Sequence, residues 1–482
     1  MLHTNTQSAM LIGAELVAGL DVRQPVTNPA DLSIVGMAPV AAPTHLDQAV
    51  RAARTAFPAW SRLTWDERAT YLQQLAAAIE VETDSLARLL TLEQGKPYHT
   101  QARAEIQACI DCLRDTARLR LPVKTLRDTP GARVEAHPVP MGVVGAITPW
   151  NFPVQLAIWK IAPNLLSGNT VVLKPAPTCP LTLLRVGELA RGILPPGTLN
   201  ILCGGNDLGA LMCAHPGLAK ITLTGSTATG KKVMASAANT LKRLVLELGG
   251  NDPAIVLPGC DPKALAPMLF WSAFYNSGQN CVAIKRLYVH ESLHRAVLEE
   301  LIAYGSTVPL GNGLDPANLL GPVQNQQQYQ RLLELIEDSE TNGHRFALGG
   351  ETRPHQQGYF IPVTLIDNPP DNSRIVQEEQ FGPILPVLSF KSIDEVVQRA
   401  NDTRMGLAAS VWGRDAAQVA PSLQAGTVWI NQGQSFAADI PFGGHKESGY
   451  GIELGEAGLA ACTLLQVRAI ANEDRADGSS SS

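Results

Sequence analysis

Between Gly142 and Lys231 the chain keeps changing period, from short apolar runs to helical spacing and back, and this alternation restricts the fold more than any other feature. Val143-Val144-Gly145-Ala146-Ile147 reads as a strand that stops at Thr148-Pro149-Trp150-Asn151-Phe152-Pro153. Residues 170–174, 199–202 and 220–224 read as further strands, with helices expected over 181–193 and after the glycine turn at 225–231. Strands that alternate with helices pair in parallel, and ligands of such sheets bind outside the carboxyl ends of the strands. The loop 225–230 has the form G-x-x-x-x-G. Backbone N–H groups at a helix N-terminus suit a phosphate there, although an ordinary strand–helix turn explains the spacing equally well.

Around this segment the text varies. Residues 1–43 read as extended pieces and turns, and 46–92 as three helices (46–56, 65–81 and 84–92), with a break expected at Phe57-Pro58 because proline carries no N–H. The run 121–141 alternates about Asp128-Thr129-Pro130-Gly131 and suggests a hairpin suited to subunit contact or to a plain surface ribbon. Residues 252–400 begin a second α/β region, with helices near 265–274, 293–304 and 326–341 and strands near 286–289 and 386–388. The polar tail 471–482 is expected to be disordered.

At 482 residues the chain is too long for one ordinary core. A net charge of -6 excludes a basic nucleic-acid footprint, and no apolar run reaches the roughly 18 residues of a membrane helix. The eight cysteines are spread thinly, which argues against a disulfide framework and for the cytoplasm, and the N-terminus lacks the layout of a signal peptide. Cys109 and Cys112 have metal or redox spacing, but they share one face of a helical pattern with no second pair nearby; packing explains them better, and no metal site is expected.

Two stretches carry chemistry. Gly278-Gln279-Asn280-Cys281 ends an aromatic run on a thiol, which attacks only as thiolate and needs a base or a positive field from the fold. Glu247-Leu248-Gly249-Gly250 places one carboxylate in apolar surroundings, where its pKa rises towards the range of a general base.

Read in order, PWNFP at 149–153, LKP at 173–175, TGST at 224–227, ELGG at 247–250, GQNC at 278–281, EEQFGP at 378–383 and PFGG at 441–444 resemble the NAD(P)-dependent aldehyde dehydrogenase superfamily. The resemblance runs from about Asn28 to Val467. It implies a Rossmann-like cofactor domain (1–120 with 141–248), a catalytic domain (249–447) and a small β oligomerisation segment (121–140 with 448–470) in a homodimer or homotetramer. It also implies that Cys281 attacks the aldehyde, that Asn151 and the Cys281 N–H hold the oxyanion, and that Glu247 activates water against the thioester. Lys174 and Glu379 would hold the ribose hydroxyls of NAD or NADP, Trp150, Gly225 and Phe381 would border the cofactor, and Ser226 would meet its diphosphate. Where NAD-selective relatives carry Glu, this chain has Pro177, so use of both cofactors is expected. Phe152, Leu156, Trp159, Trp429, Phe436 and Phe442 would line a pocket for an apolar or aromatic aldehyde. A semialdehyde dehydrogenase, CoA-acylating or hydrolytic, is the alternative. No arginine accompanies the Asn151 helix to bind a second carboxylate, and Glu247 argues against acyl transfer to CoA.

Overall fold

The computed structural model describes residues 8–351 and 357–471, so the N-terminus and nearly all of the expected tail lie outside the described residues; Ala471 itself closes a strand. Five of the apolar runs pair in parallel in the order Leu199–Ile201, Thr170–Lys174, Val143–Ile147, Lys220–Thr224 and Arg243–Glu247. Strand order reverses between Val143–Ile147 and Lys220–Thr224, so the turns at Trp150 and Gly225 open side by side at the carboxyl edge. Met10–Ile12 and Glu15–Val17 extend one side of this sheet in antiparallel fashion. Gly449–Tyr450 extends the other side, so the chain after 448 contributes to this sheet before it reaches the ribbon.

A second sheet holds Pro253–Val256, Arg286–His290, Thr364–Asp367, Ile384–Phe390, Ala408–Trp412 and Thr427–Ile430, all parallel. Successive side chains of a strand point to opposite faces. Ile255, Tyr288 and Leu388 therefore pack in one core while Ala254, Leu287 and Val387 pack in another, with helices covering both faces. The hairpin Lys124–Asp128 with Ala132–Pro140 exists, and Thr463–Ala471 adds along its whole length as a third strand. Among the described residues no helix is long and apolar enough to cross a membrane.

The expected break at Phe57-Pro58 does not occur: one helix runs over Pro43–Arg62 with Pro58 inside it. Beyond the proline, Trp60 is buried and its indole N–H donates to the Leu165 carbonyl at 3.1 Å. An interior proline costs about 3 kcal/mol, which burial of a whole indole with a satisfied N–H offsets. Cys109 and Cys112 both lie in the core, and burial raises both thiols, that of Cys112 to about 12.

Candidate active site

The helix Pro262–Phe274 stops at Tyr275, and the next three residues are left-handed: Asn276 (φ 55°), Ser277 (φ 54°) and Gly278 (φ 71°). Such backbone costs about 1–2 kcal/mol per non-glycine residue and persists only where neighbours over-determine it. Here they do. The Asn276 N–H donates to Gln101 Oε1 (3.1 Å), its amide donates to the carbonyls of Asn151 (3.0 Å) and Gln279 (3.2 Å), and Ser277 Oγ donates to the Gly321 carbonyl (2.7 Å). Position 278 must be glycine, because a Cβ would collide with the Gly382 carbonyl oxygen. This latched segment delivers Cys281.

Cys281 stands where two cavities meet, one of about 570 Å³ and one of about 550 Å³; both are also bordered by Thr224 and Leu248. Phe152, Leu156, Trp159, Phe436 and Phe442 line the first, as the sequence suggested. Trp159, Phe436 and Phe442 form a mutual cluster with ring centroids 5.4–5.9 Å apart. Trp429 is a correction: it does not border this cavity but packs behind Phe436, centroids 5.8 Å apart. Its strand faces the sheet core, and only the loop after it reaches the opening. Sequence reasoning missed Met268, Trp271 and Tyr275, which line the same cavity from one helix and its end. Their helical spacing was visible, but not the direction the face points.

At the floor lies Glu247, last residue of its strand and only 3% exposed. Neither of its carboxylate oxygens has a partner among the described residues. Burial first, and then the neighbouring carboxylate of Glu453, holds Glu247 well above the usual carboxylate range, against the pull of Lys160. Glu453 Oε1 accepts from Lys160 Nζ (2.7 Å) and Thr222 Oγ1 (2.9 Å), and Lys160 also donates to Thr224 Oγ1 (2.6 Å). Lys160 and Glu453 are 293 residues apart, and nothing local in the sequence pairs them.

Asn151 follows the strand Val143–Ile147 and precedes the helix Pro153–Leu166. Its side-chain amide donates to the Gln279 carbonyl at 3.2 Å and keeps a second hydrogen. Its own carbonyl accepts from Lys96 Nζ at 2.9 Å. Lys96 lies 3.9 Å from the centroid of the Phe152 ring and pairs with buried Glu105, whose other oxygen accepts the N–H groups of Val154 (3.0 Å) and Gln155 (3.1 Å). The Cys281 N–H has no acceptor among the described residues. Burial pushes the Cys281 thiol up to about 12, opposed by Lys285 and reinforced by Asp252, Glu379 and Glu247.

The second cavity opens at the strand-order reversal, bordered by Trp150, Asn151, Gly225, Ser226, Glu379 and Phe381. Trp150 and Phe381 meet edge to face with centroids 5.3 Å apart. The glycine loop is shorter than expected: the helix begins at Thr227, so Gly225 and Ser226 alone make the turn. Ser226 Oγ caps that helix by accepting the Thr229 N–H at 3.2 Å. Gly230 lies inside the helix, where a Cβ would come within 2.6 Å of Leu248. Glu379 accepts the Gly250 N–H at 3.0 Å, and Gly249 leaves the space that its carboxylate fills. Lys174 ends its strand buried, its ammonium donating to the Pro175 carbonyl at 3.3 Å, and desolvation lowers its pKa to about 8. A cavity bordered by a helix N-terminus, a carboxylate and two aromatic side chains fits a nicotinamide dinucleotide.

Comparison with known proteins agrees with this architecture. The model of the "Aldehyde dehydrogenase family" matches residues 17–467, and the chain belongs to that family. It is an oxidoreductase that converts an aldehyde to its carboxylic acid with NAD or NADP. A "probable aldehyde dehydrogenase" of Pseudomonas sp is 41% identical over 467 residues, covering 96% of this chain and 94% of the relative. The structure of an aldehyde dehydrogenase from Bacillus cereus in complex with NAD+ superposes with a TM-score of 0.95 at 36% identity, covering 98% of both chains. A structure described as an E. coli NADP dependent enzyme gives a TM-score of 0.93 at 34% identity, covering 96% of this chain and 98% of that one.

Proposed function

We propose that Cys281 is the nucleophile of this oxidation, with Asn151 and Glu247 acting on its intermediates, and that the preferred substrates are apolar or aromatic aldehydes. The observation that carries the reading is the place of Cys281 between an aromatic cavity and a polar one at the strand switch point. Among the described residues no Lys, Arg or His lines the aromatic cavity. A second carboxylate on the substrate would meet no counter-charge there, only Glu247 and Glu453. Burying an aromatic ring gains about 2 kcal/mol, about thirtyfold in kcat/KM, whereas a buried unpaired carboxylate loses more than that.

Attack of Cys281 Sγ on the carbonyl carbon moves charge onto the oxygen. The free hydrogen of the Asn151 amide and the Cys281 N–H are the donors for that charge. Glu379, Trp150, Phe381 and the Gly225-Ser226 turn border the cavity that would hold NAD or NADP, which would accept the hydride leaving the former carbonyl carbon as the oxyanion collapses. Cys281 then carries the acyl group as a thioester. Glu247 takes a proton from water, the hydroxide adds to the thioester carbon, and Sγ leaves as thiolate while the acid departs. Only ionised Glu247 can do this, so the Glu453 carboxylate and the Lys160 ammonium beside it set the pH at which deacylation runs.

The assembly is a homo-oligomer, a dimer or tetramer, in this reading. Leu241 (89% exposed), Leu465 (74%) and Tyr450 (59%) border a groove of about 860 Å³ between the helix Thr227–Ala238 and the strand Thr463–Ala471, apolar surface that a partner copy would cover. Eight free cysteines support a reducing, cytoplasmic location. Light scattering tests the assembly, and an aldehyde panel run with each cofactor tests the substrate class. Benzaldehyde-type substrates should exceed succinic semialdehyde by at least about tenfold in kcat/KM. A preference for the carboxylate-bearing substrate would overturn the pocket reading.

A further inference from the structure

The buried Lys285 has no part in the mechanism above. Its side chain is 2% exposed, and its ammonium donates to the carbonyls of Cys281 (2.6 Å), Asn280 (3.0 Å) and Ala283 (3.3 Å). On its other side Glu379 Oε1 lies at 3.5 Å. Hydrogen bonds to carbonyls do not by themselves require a charge, since a neutral amide could donate to two of the three without the desolvation of an ion. The ionic surroundings show what the charge is for. Asp252 from the start of the second sheet, Glu379 from the loop before Ile384–Phe390 and Glu247 from the first sheet all bear on the Cys281 sulfur. Among the described residues no side chain donates to the Asp252 carboxylate, and only the backbone N–H of Ala408 approaches it. Lys285 is the cation whose field opposes these three carboxylates at the sulfur.

We propose that Lys285 is a positioning residue for this reaction, supplying the positive charge against which Cys281 ionises while tethering Glu379 at the cofactor side. Its ammonium donates to the carbonyl of the nucleophile itself, which fixes the charge to the backbone that carries the sulfur. Without it, no cation would oppose the ionised forms of Asp252, Glu379 and Glu247 at the sulfur, and the attacking thiolate would be scarcer. The inference rests on Cys281 being the nucleophile.

The test uses the full-length enzyme and follows iodoacetamide labelling of Cys281 by peptide mass spectrometry below the titration range of the thiol. Four proteins are compared: wild type, K285R, K285Q and K285M. K285Q keeps a donor for the carbonyls and removes the charge, and K285R keeps the charge. At pH about 8 the labelling rate should fall about tenfold or more in K285Q and K285M, the equivalent of a one-unit rise in the midpoint, and stay near wild type in K285R. KM for the cofactor should rise in the two neutral variants as well, through loss of the Glu379 tether. A K285Q labelling rate equal to wild type, whatever its kcat, would show that Lys285 only latches the loop and would overturn the proposal. Failure of both neutral variants to fold beside a folded K285R would overturn it too, by making the charge a structural requirement. C281A turnover is measured in parallel. Residual activity there would remove Cys281 as nucleophile, while the labelling shift would still report on Lys285.

Discussion

Replacing Lys160 by methionine tests the charge balance at the floor of the aromatic cavity most directly. The Lys160 side chain is fully buried, Glu453 is 6% exposed, and the 2.7 Å contact between them lies within the field of Glu247. Methionine keeps the length and apolar bulk of the stem and deletes the ammonium. Glu247 and Glu453 then face each other with no cation between them. Removing one partner of a buried ion pair costs about 3–5 kcal/mol, because the other charge stays buried. The carboxylates recover part of this by retaining a proton, at about 1.36 kcal/mol for each pH unit below the folded value. Glu247 already titrates above its unfolded value, so the folded protein holds its proton where the unfolded chain has lost it. The unfolded chain is the same in both proteins, so the cost of K160M grows with pH from the folded value of Glu247 in wild type, itself well above the unfolded value of about 4.3, up to the higher folded value in the variant, and levels off above that. Calorimetric unfolding should show K160M far below wild type at pH about 8 and closer to it near pH 5. The limb of the kcat profile that reports Glu247 should move up by about one pH unit or more. Adding E453Q removes the second carboxylate, so K160M/E453Q should unfold later than K160M and return the limb towards wild type. A K160M enzyme with wild-type unfolding and an unmoved limb would refute the assignment of these three residues to one electrostatic unit.

Glu247→Gln should release about one equivalent of reduced cofactor per site in a rapid-mixing burst and then stall as the Cys281 thioester; full steady-state turnover would remove Glu247 from deacylation. Wild type should accept NAD and NADP within about 1–3 kcal/mol in kcat/KM, and Pro177→Glu should turn the enzyme towards NAD by repelling the 2′-phosphate. An enzyme blind to NADP would mean that a group other than residue 177 guards the ribose. Asp252 is raised to about 7 by burial and stands between two voids of about 10 Å³ each, the size of one water apiece. The folded chain keeps its proton between pH about 4 and about 7 while the unfolded chain releases it, so that stability falls across this window, by up to about 4 kcal/mol. Asp252→Asn should flatten that slope in urea midpoints measured against pH, and an unchanged slope would assign it to another group, Glu93 being the next candidate, also raised to about 7.

Much of the frame was legible because its signals are short-range. Val143–Ile147, Thr170–Lys174 and Lys220–Thr224 lie where their apolar runs placed them, and the helix Thr83–Gln94 ends at Gly95, whose φ of +99° suits glycine. The helix through Pro58 was not legible, because the burial that offsets the proline comes from Leu165, more than a hundred residues away. Trp429 and Phe436 are both aromatic and seven residues apart, yet one packs in the core and the other lines the cavity.

What the sequence determined by itself is the chemistry available: a thiol after a glycine turn, a carboxylate at the end of an apolar strand, an amide beside a helix N-terminus, and no arginine on the Asn151 helix for a carboxylate substrate. These are local, since side-chain type is the sequence itself and backbone conformation in a turn or strand end depends largely on neighbours along the chain. Only the tertiary structure decided the charges that govern them. Lys160 and Glu453 reach Glu247 from opposite ends of the chain, Lys285 and Asp252 converge beside Cys281, and Lys96 crosses to the Asn151 carbonyl. A thiol or carboxylate has its ordinary pKa until burial strips away water and brings a particular charge beside it, and both depend on which surfaces pack together in space.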